Sequence, residues 1–490
     1  MEETNAIRVL KTFTGKELDD LEAFINSPSQ LRKRDVRQIF IIIKQGYPDF
    51  KKESLKDEII FKSLFPEEKF EKKKLSLAAF YLYDSVCDFL ALLNANEKEP
   101  ERTFALMEEL LKRGIENSFT KLAKKLDGKI KSTEYLIGTY FVYRNRLEDL
   151  MIAYFSRNHD YKGFIDSSTR RTENTMALNL LRSMRSVINK YFAEISYNLK
   201  TEGELFNAVI IGTNFKKIFS SIETHPYLKL LEPIFHTYQA VSGNNLEESL
   251  LKAEDSFIRN IKLYSREEKV YIYSEMVNLY DMNIREAQDI KKKKALSRRS
   301  LNLTKVFVDE KLYKTEKDKY MQMIFFRNVV LTALDAEEFK WAENFILQHY
   351  DKLKPSYSEN MKNFCLAETE FSGKNFEKSL EYLSNVSYNS FVFKRDVKML
   401  LMNLYYELNF IEQSYYIMDN TKRYLKKTNE ISEEDKLLDY NFIEYYKRLL
   451  KLKEKPDKNE AELCIKKLKE QYNKIENPDW LINKFREKIR

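Results

Sequence analysis

Glycine and proline are scarce in this sequence, which has 10 glycines and 9 prolines among 490 residues. Average usage is roughly 7% for glycine and 5% for proline, so both fall well below it. A β-rich or α/β protein of this length needs many glycines in tight turns and in phosphate-binding loops. A protein of long helices with short connections needs few of either residue. The shortage therefore argues against the first two classes and predicts an all-α protein.

Cysteines and metal ligands are also few. The three cysteines are Cys87, Cys365 and Cys464. They lie far apart and form no CxxC pair, which argues against a disulfide framework or a zinc site and favours a reducing compartment. Each lies beside apolar residues of a helical stripe, so we predict that all three are buried structural thiols. Because the sequence has no HExxH motif and no glycine-rich phosphate loop, we expect neither an enzyme nor a bound metal or cofactor.

A long apolar run is missing near the N-terminus as well. Residues 1–20 are polar and of mixed charge, without the apolar core of a signal peptide. The longest aliphatic and aromatic run there, residues 39–43, is far shorter than the roughly 20 residues that cross a bilayer. We predict a cytoplasmic protein with no membrane partner.

The charges nearly cancel. The chain has 84 Lys and Arg residues and 76 Asp and Glu residues, which leaves a net charge of +8. Spread over this length, that is a mild bias and not the signature of a nucleic-acid-binding protein, although nucleic acid remains a possible partner. Hydrophobic residues make up 43% of the chain and aromatic residues 13%, which is ample for a packed core.

The prolines and glycines of the first 100 residues lie between amphipathic segments and so predict helix ends. Thr14 is the predicted N-cap of a first helix that ends before Pro28. A second helix is predicted over residues 34–45, with Gly46 in the left-handed conformation at its end. A short helix over residues 55–65 precedes Pro66, and a long one follows with its apolar residues spaced by three and four. The polar residues 94–100 then predict a domain boundary.

Helices continue after this boundary, without a clear repeat at first. Gly114 and Gly128 are predicted helix ends, and long helices are predicted over residues 133–158 and 172–199. The intervening segment, which holds Gly163, is predicted to be a loop. We therefore expect an N-terminal helical domain over residues 1–98, a long-helix region of unclear topology over residues 99–225, and a repeat array with C-terminal capping helices over residues 226–490.

A two-helix pattern recurs in the C-terminal half. The large apolar residues predicted to open each second helix are Leu246, Ile284, Phe339, Phe376 and Phe410. The residues three positions later are Ser249, Ala287, Ala342, Ser379 and Gln413. Four of these five are small, which allows two helices of a hairpin to approach closely where they cross. Asn245 with Glu248, and Asn283 with Glu286, also have the spacing of a capping box.

Residues 226–452 resemble the tetratricopeptide (TPR) repeat family. The clearest unit, residues 358–386, has Leu366 and Ala367 in the first helix, Gly373 at the turn, Phe376 opening the second helix and Ser379 at the small position. Other units depart from the pattern, since Glu275 and Leu401 occupy the small position of the first helix. The resemblance implies an antiparallel helix-hairpin solenoid whose groove binds peptides or proteins, and no individual ligand-contacting residue carries over from it.

The first 98 residues resemble the N-terminal part of uncharacterised bacterial helical proteins. The resemblance is carried by residues 55–93, with Phe65 and Pro66 between two helices. It implies no activity.

One basic stretch is a predicted contact site for an anionic partner. It consists of Lys291, Lys292, Lys293, Lys294, Arg298 and Arg299 on a predicted long helix over residues 284–312. A projecting helix with a solvated basic face is the simpler interpretation. The functional one is contact with an acidic segment of a protein or with a nucleic-acid backbone.

Two functions are compatible with these features. The first is a non-catalytic scaffold that binds a peptide or protein partner through the groove of the repeat array. The second is a regulator or nucleic-acid-associated protein, in which the helices on either side of Pro66 act as a helix-turn-helix pair and the array senses a ligand. The second of those helices is rich in apolar residues and offers few polar side chains to base edges, which favours the scaffold.

Overall fold

The computed structural model describes residues 4–27, 34–48, 50, 55–97, 99–132, 135–197, 203–243, 245–313, 320–387, 393–428 and 431–489. These residues form 24 α-helices and no β-strand, so the prediction of an all-α protein is confirmed. The helices belong to two compact units. Unit 1 comprises Met1–Thr133 and Tyr140–Thr175, and unit 2 comprises Glu134–Thr139 and Met176–Arg490. The three-part division at residues 98 and 225 stays a prediction.

Unit 1 begins with five helices around one apolar core. These are α1 (Asn5–Leu10), α2 (Gly15–Ile25), α3 (Arg34–Lys44), α4 (Asp57–Leu64) and α5 (Lys72–Glu97). Thr14 caps α2 as predicted: its hydroxyl accepts from the Glu17 amide, and the Glu17 carboxylate accepts from the Thr14 amide at 2.7 Å. Helix α1 was not predicted, because six residues are too few to show a period; Ile7 and Leu10 nonetheless bury it in the core.

Four further helices continue the chain. These are α6 (Glu99–Lys112), α7 (Glu116–Ser132), α8 (Ile137–Arg157) and α9 (Tyr161–Tyr197). Gly114 ends α6 as predicted, with a φ of +71° that favours glycine. Gly128 lies inside α7 and ends no helix, so that prediction was wrong. Gly163 lies inside α9 and not in a loop, and the Phe155 ring occupies the space that a Cβ there would need.

The predicted end of α3 was also partly wrong. The helix ends at Lys44, one residue before the predicted end, but Gly46 does not have a positive φ. The left-handed conformation falls on Phe50 instead, with a φ of +43°.

Unit 2 continues with fifteen helices in the part of the chain that the structure describes. These are α10 (Glu204–Gly212), α11 (Phe215–Ser221), α12 (Leu228–Ser242), α13 (Leu246–Asn260), α14 (Arg266–Glu286), α15 (Ile290–Asp309), α16 (Met323–Asp335), α17 (Phe339–His349), α18 (Ser358–Ser372), α19 (Phe376–Ser384), α20 (Lys394–Glu407), α21 (Ile411–Lys427), α22 (Glu433–Glu454), α23 (Lys458–Glu470) and α24 (Pro478–Ile489). Consecutive helices pack side by side as the pairs α12–α13, α14–α15, α16–α17, α18–α19 and α20–α21, and each pair packs on the next. This arrangement is consistent with a helical solenoid.

Three of the hairpin turns have the same backbone geometry. Glu337, Lys374 and Asn409 all have a φ between +60° and +65°, although none is glycine. In each turn the next amide donates to the carbonyl five positions earlier, as the Asn375 amide does to Glu370 at 2.9 Å. The turn is therefore repeated in the backbone even though its side chains differ.

The helix that follows each of these turns has a small, fully buried residue at its fourth position. These residues are Ala342, Ser379 and Ser414. The Ser379 hydroxyl donates to the Ala367 carbonyl of the partner helix at 2.6 Å, which places the small residue at the helix crossing. Phe410 caps α21 and does not open it, so Ser414 and not Gln413 occupies the small position.

One hairpin has a different register from the predicted one. Ile284 lies near the end of α14, and the second helix of this hairpin begins at Ile290. The cap is Asp289, whose carboxylate accepts from the Lys291 amide at 3.0 Å, so the predicted pairing of Asn283 with Glu286 was wrong. The capping pair of Asn245 with Glu248 is confirmed.

Candidate partner-binding surface

The predicted basic contact site lies along α15, and much of its charge is already paired. The ion pairs are Lys292 with Glu247 at 2.8 Å, Lys293 with Asp479 at 2.7 Å, Lys294 with Glu337, and Arg299 with Glu254 at 3.2 Å. Lys291 and Arg298 are exposed and form no ion pair among the described residues. Contact with an anionic partner therefore stays a prediction that depends on these two side chains most.

Three acidic side chains on the first helices of three successive hairpins influence one another electrostatically. Asp281 of α14, Asp335 of α16 and Glu368 of α18 form a group that we call the acidic recess. Burial raises the pKa of Asp281 to about 6, with the nearby Asp335 carboxylate adding to the rise and Arg285 opposing it. Burial also raises the pKa of Glu368 to about 8, with Asp396 and to a smaller extent Asp335 adding to the rise and Arg327 opposing it. Because Asp335 affects both of the others, the three carboxyl groups share one electrostatic environment.

The recess is open to solvent at Asp335. The side chain of this residue is exposed, yet burial by the surrounding helices is the main cause that raises its pKa, with Asp479 adding and Lys293 opposing. The recess can therefore be reached by a ligand.

Two of the cations that act on the recess already have partners. Arg327 of α16 binds Asp396 of α20 at 2.6 Å, and Lys293 binds Asp479. In the part of the chain that the structure describes, Asp335 and Glu368 themselves form no ion pair. A cationic group that entered the recess would stabilise the charged forms of these carboxyl groups.

The C-terminal helix holds distant parts of the array together. Asp479 at the start of α24 accepts from the Tyr472 hydroxyl at 2.8 Å and pairs with Lys293, which is 186 residues away in the chain. Trp480 donates to Glu407 at 2.9 Å and packs its ring on α20 and α22. Lys484 binds the same carboxylate at 2.9 Å. Lys293, which lowers the pKa of Asp335, is thus held by α24.

The three cysteine thiols differ in their burial. Cys365 and Cys464 are buried as predicted, and burial raises the pKa of each. Cys87 is exposed, so the prediction for it was wrong: the buried stripe of α5 runs through Val86 and Phe89 and leaves Cys87 beside it. Among the described residues, no group of three or more His, Cys, Asp or Glu side chains could hold a metal ion.

The buried carboxyl group of Glu275 makes the stability of the protein depend on pH. Glu275 of α14 is 6% exposed, and neither carboxylate oxygen has a hydrogen-bond partner among the described residues. Burial raises its pKa from 4.5 to about 8, with Glu268 adding and Arg185 opposing. The folded protein thus holds a proton that the unfolded chain releases above pH 4.5, and stability falls as the pH rises toward 8.

Glu275→Gln, which is neutral at every pH, is expected to leave the free energy of unfolding at pH 5 nearly unchanged. At pH 9 it is expected to raise that free energy by about 2–4 kcal/mol relative to the wild type. Urea denaturation at both pH values measures the difference. The exposed Glu267→Gln on the same helix is the control, and an equal effect of the two variants would contradict the assignment.

The two helices on either side of Pro66 are α4 and α5. Lys74 at the start of α5 binds Glu68 at 2.5 Å and lies 4.0 Å above the Phe65 ring. Over Lys72–Ala95, α5 is the one helix of the described chain with the length and apolar composition to cross a membrane, and part of it is buried in the core of unit 1. Core helices of globular proteins share these properties.

A comparison with protein-family models gives no match, and a comparison with the curated proteins gives none.

Proposed function

We propose that the chain is a non-catalytic interaction scaffold whose TPR-like array binds a peptide or protein partner. The observation that carries this proposal is the acidic recess on the first helices of three successive hairpins. The family resemblance implies a solenoid whose groove binds peptides or proteins, and we propose that these first helices line that groove. The recess is open to solvent at Asp335, and among the described residues neither Asp335 nor Glu368 forms an ion pair.

The chemistry of the recess favours a partner segment that carries lysine or arginine. A cation would convert the Glu368 carboxyl group, whose pKa is about 8, to its charged form. Binding would then release a proton, so the affinity rises with pH between 6 and 9.

The proposal is tested by affinity capture of the tagged full chain from its native lysate, with and without nuclease. The wild type is compared with a variant that combines Asp335→Asn and Glu368→Gln. The matched control combines Glu377→Gln and Glu412→Gln, two exposed carboxylates on the second helices α19 and α21. We expect to capture a protein that the wild type and the control retain in near-equal amounts and that the recess variant retains in about tenfold smaller amount. Treatment with nuclease should not change the amount that the wild type captures.

Two results would reject the proposal. If the captured material disappears with nuclease and leaves DNA or RNA, the regulator with a helix-turn-helix-like pair becomes the better explanation. If the recess variant retains the partner as well as the control does, the partner binds elsewhere on the chain.

A further inference from the structure

Helix α5 of unit 1 has an exposed apolar face. Its buried side packs Leu75, Leu82 and Val86 into the core with α1 to α4. The opposite side exposes Leu77 by 51%, Phe80 by 60%, Tyr81 by 37% and Leu92 by 46%. These residues recur at spacings of three, four and eleven, so they lie on one face of the helix. A group of exposed apolar residues on one helix face marks an interaction surface.

Basic and acidic side chains lie in opposite halves of this face of α5. Lys73 lies near the start of α5 and Asp88 lies in its second half, and both side chains are exposed. The two residues are equally distant along the helix from the midpoint between Phe80 and Tyr81, whose rings are 5.8 Å apart. The face is therefore basic before the aromatic pair and acidic after it.

We infer that this face of α5 binds the same face of a second copy of the chain, with the two helices antiparallel. A two-fold axis through Phe80 and Tyr81 places Lys73 of each copy beside Asp88 of the other. It also places the two aromatic pairs against each other at the centre of the contact, where large aromatic side chains contribute most to binding. The face is complementary to itself only in this antiparallel orientation.

A lipid surface fits the same face less well. Asp84 and Asp88 lie between the apolar residues, and a carboxylate pressed toward hydrocarbon is costly. Lysines are confined to one end of the face, whereas helices that lie on anionic membranes carry them along its length.

Self-association is measured by sedimentation velocity of the full chain over a concentration series. The wild type is expected to form dimers, and Phe80→Glu is expected to raise the dissociation constant at least about tenfold. Leu205→Glu replaces a leucine on α10 that is 80% exposed and serves as the control, which should dimerise like the wild type.

A charge exchange tests the antiparallel orientation without relying on Phe80. Lys73→Asp and Asp88→Lys each place like charges together and should weaken the dimer severalfold when studied alone. A mixture of these two variants restores both ion pairs across the contact, so heterodimers are expected at close to wild-type affinity. A monomeric wild type, or a mixture no tighter than the separate variants, would overturn the inference. Binding of the monomer to anionic phospholipid vesicles that Phe80→Glu abolishes would also overturn it, in favour of a membrane surface.

Discussion

Arg395→Ala is expected to lower the free energy of unfolding by about 3–5 kcal/mol at neutral pH. Arg395 of α20 holds both oxygens of Asp439 of α22, at 2.7 and 2.6 Å, and also binds Glu476 at 2.9 Å. Asp439 is fully buried, and burial raises its pKa against the effect of Arg395. Without the guanidinium, a buried carboxylate would be left without its partner, which is the costly case.

Two comparisons separate this cause from a general loss of packing. Arg423→Ala removes an exposed arginine of α21 whose guanidinium donates to a backbone carbonyl of the same helix, and should change the free energy of unfolding by less than about 0.5 kcal/mol. A double variant with Arg395→Met and Asp439→Leu removes both charges and should be more stable than Arg395→Ala alone. Urea denaturation at neutral pH measures all three. A double variant no more stable than the single one would contradict the ion-pair explanation.

Phe364→Ala is also expected to lower the free energy of unfolding by about 3–5 kcal/mol, because this ring is 1% exposed in the core of unit 2. Phe376 belongs to the same hairpin but is only half-buried, so Phe376→Ala should cost about 1–2 kcal/mol. Both substitutions remove a phenylalanine side chain, so the difference between their losses of unfolding free energy reports how deeply each ring is buried. Equal losses in urea denaturation would contradict the packing of α18 on α19 described above.

Local sequence patterns predicted most helix positions in this protein. The unit over residues 358–386 was predicted with its turn, and α18 and α19 begin at Ser358 and Phe376. Patterns of this kind work where a cap, an apolar period and a turn agree in phase. They failed at α14 and α15, where the apolar residue Ile284 continues one helix and Asp289 begins the next. An apolar residue alone does not show on which side of a helix end it lies.

The repeat itself was only partly visible in the sequence. The three shared turns have Glu337, Lys374 and Asn409 in the left-handed region, and only asparagine favours that conformation among these. The acidic recess could not be predicted, because Asp281, Asp335 and Glu368 occupy different positions within their hairpins. Only the packing of successive hairpins lets Asp335 act on the other two carboxyl groups. The basic stretch on α15 was conspicuous in the sequence, but its partners lie on α13, α24 and the turn before α17.

Hydrogen–deuterium exchange of the full chain, alone and with the captured partner, tests the scaffold most directly. The amides of α14, α16 and α18 are expected to exchange more slowly in the complex, and those of α15, α17 and α19 to change little. The recess variant with Asp335→Asn and Glu368→Gln should show no such protection at the same partner concentration. Protection confined to the second helices or to unit 1, or the same protection in the recess variant, would contradict binding through the first helices of the array.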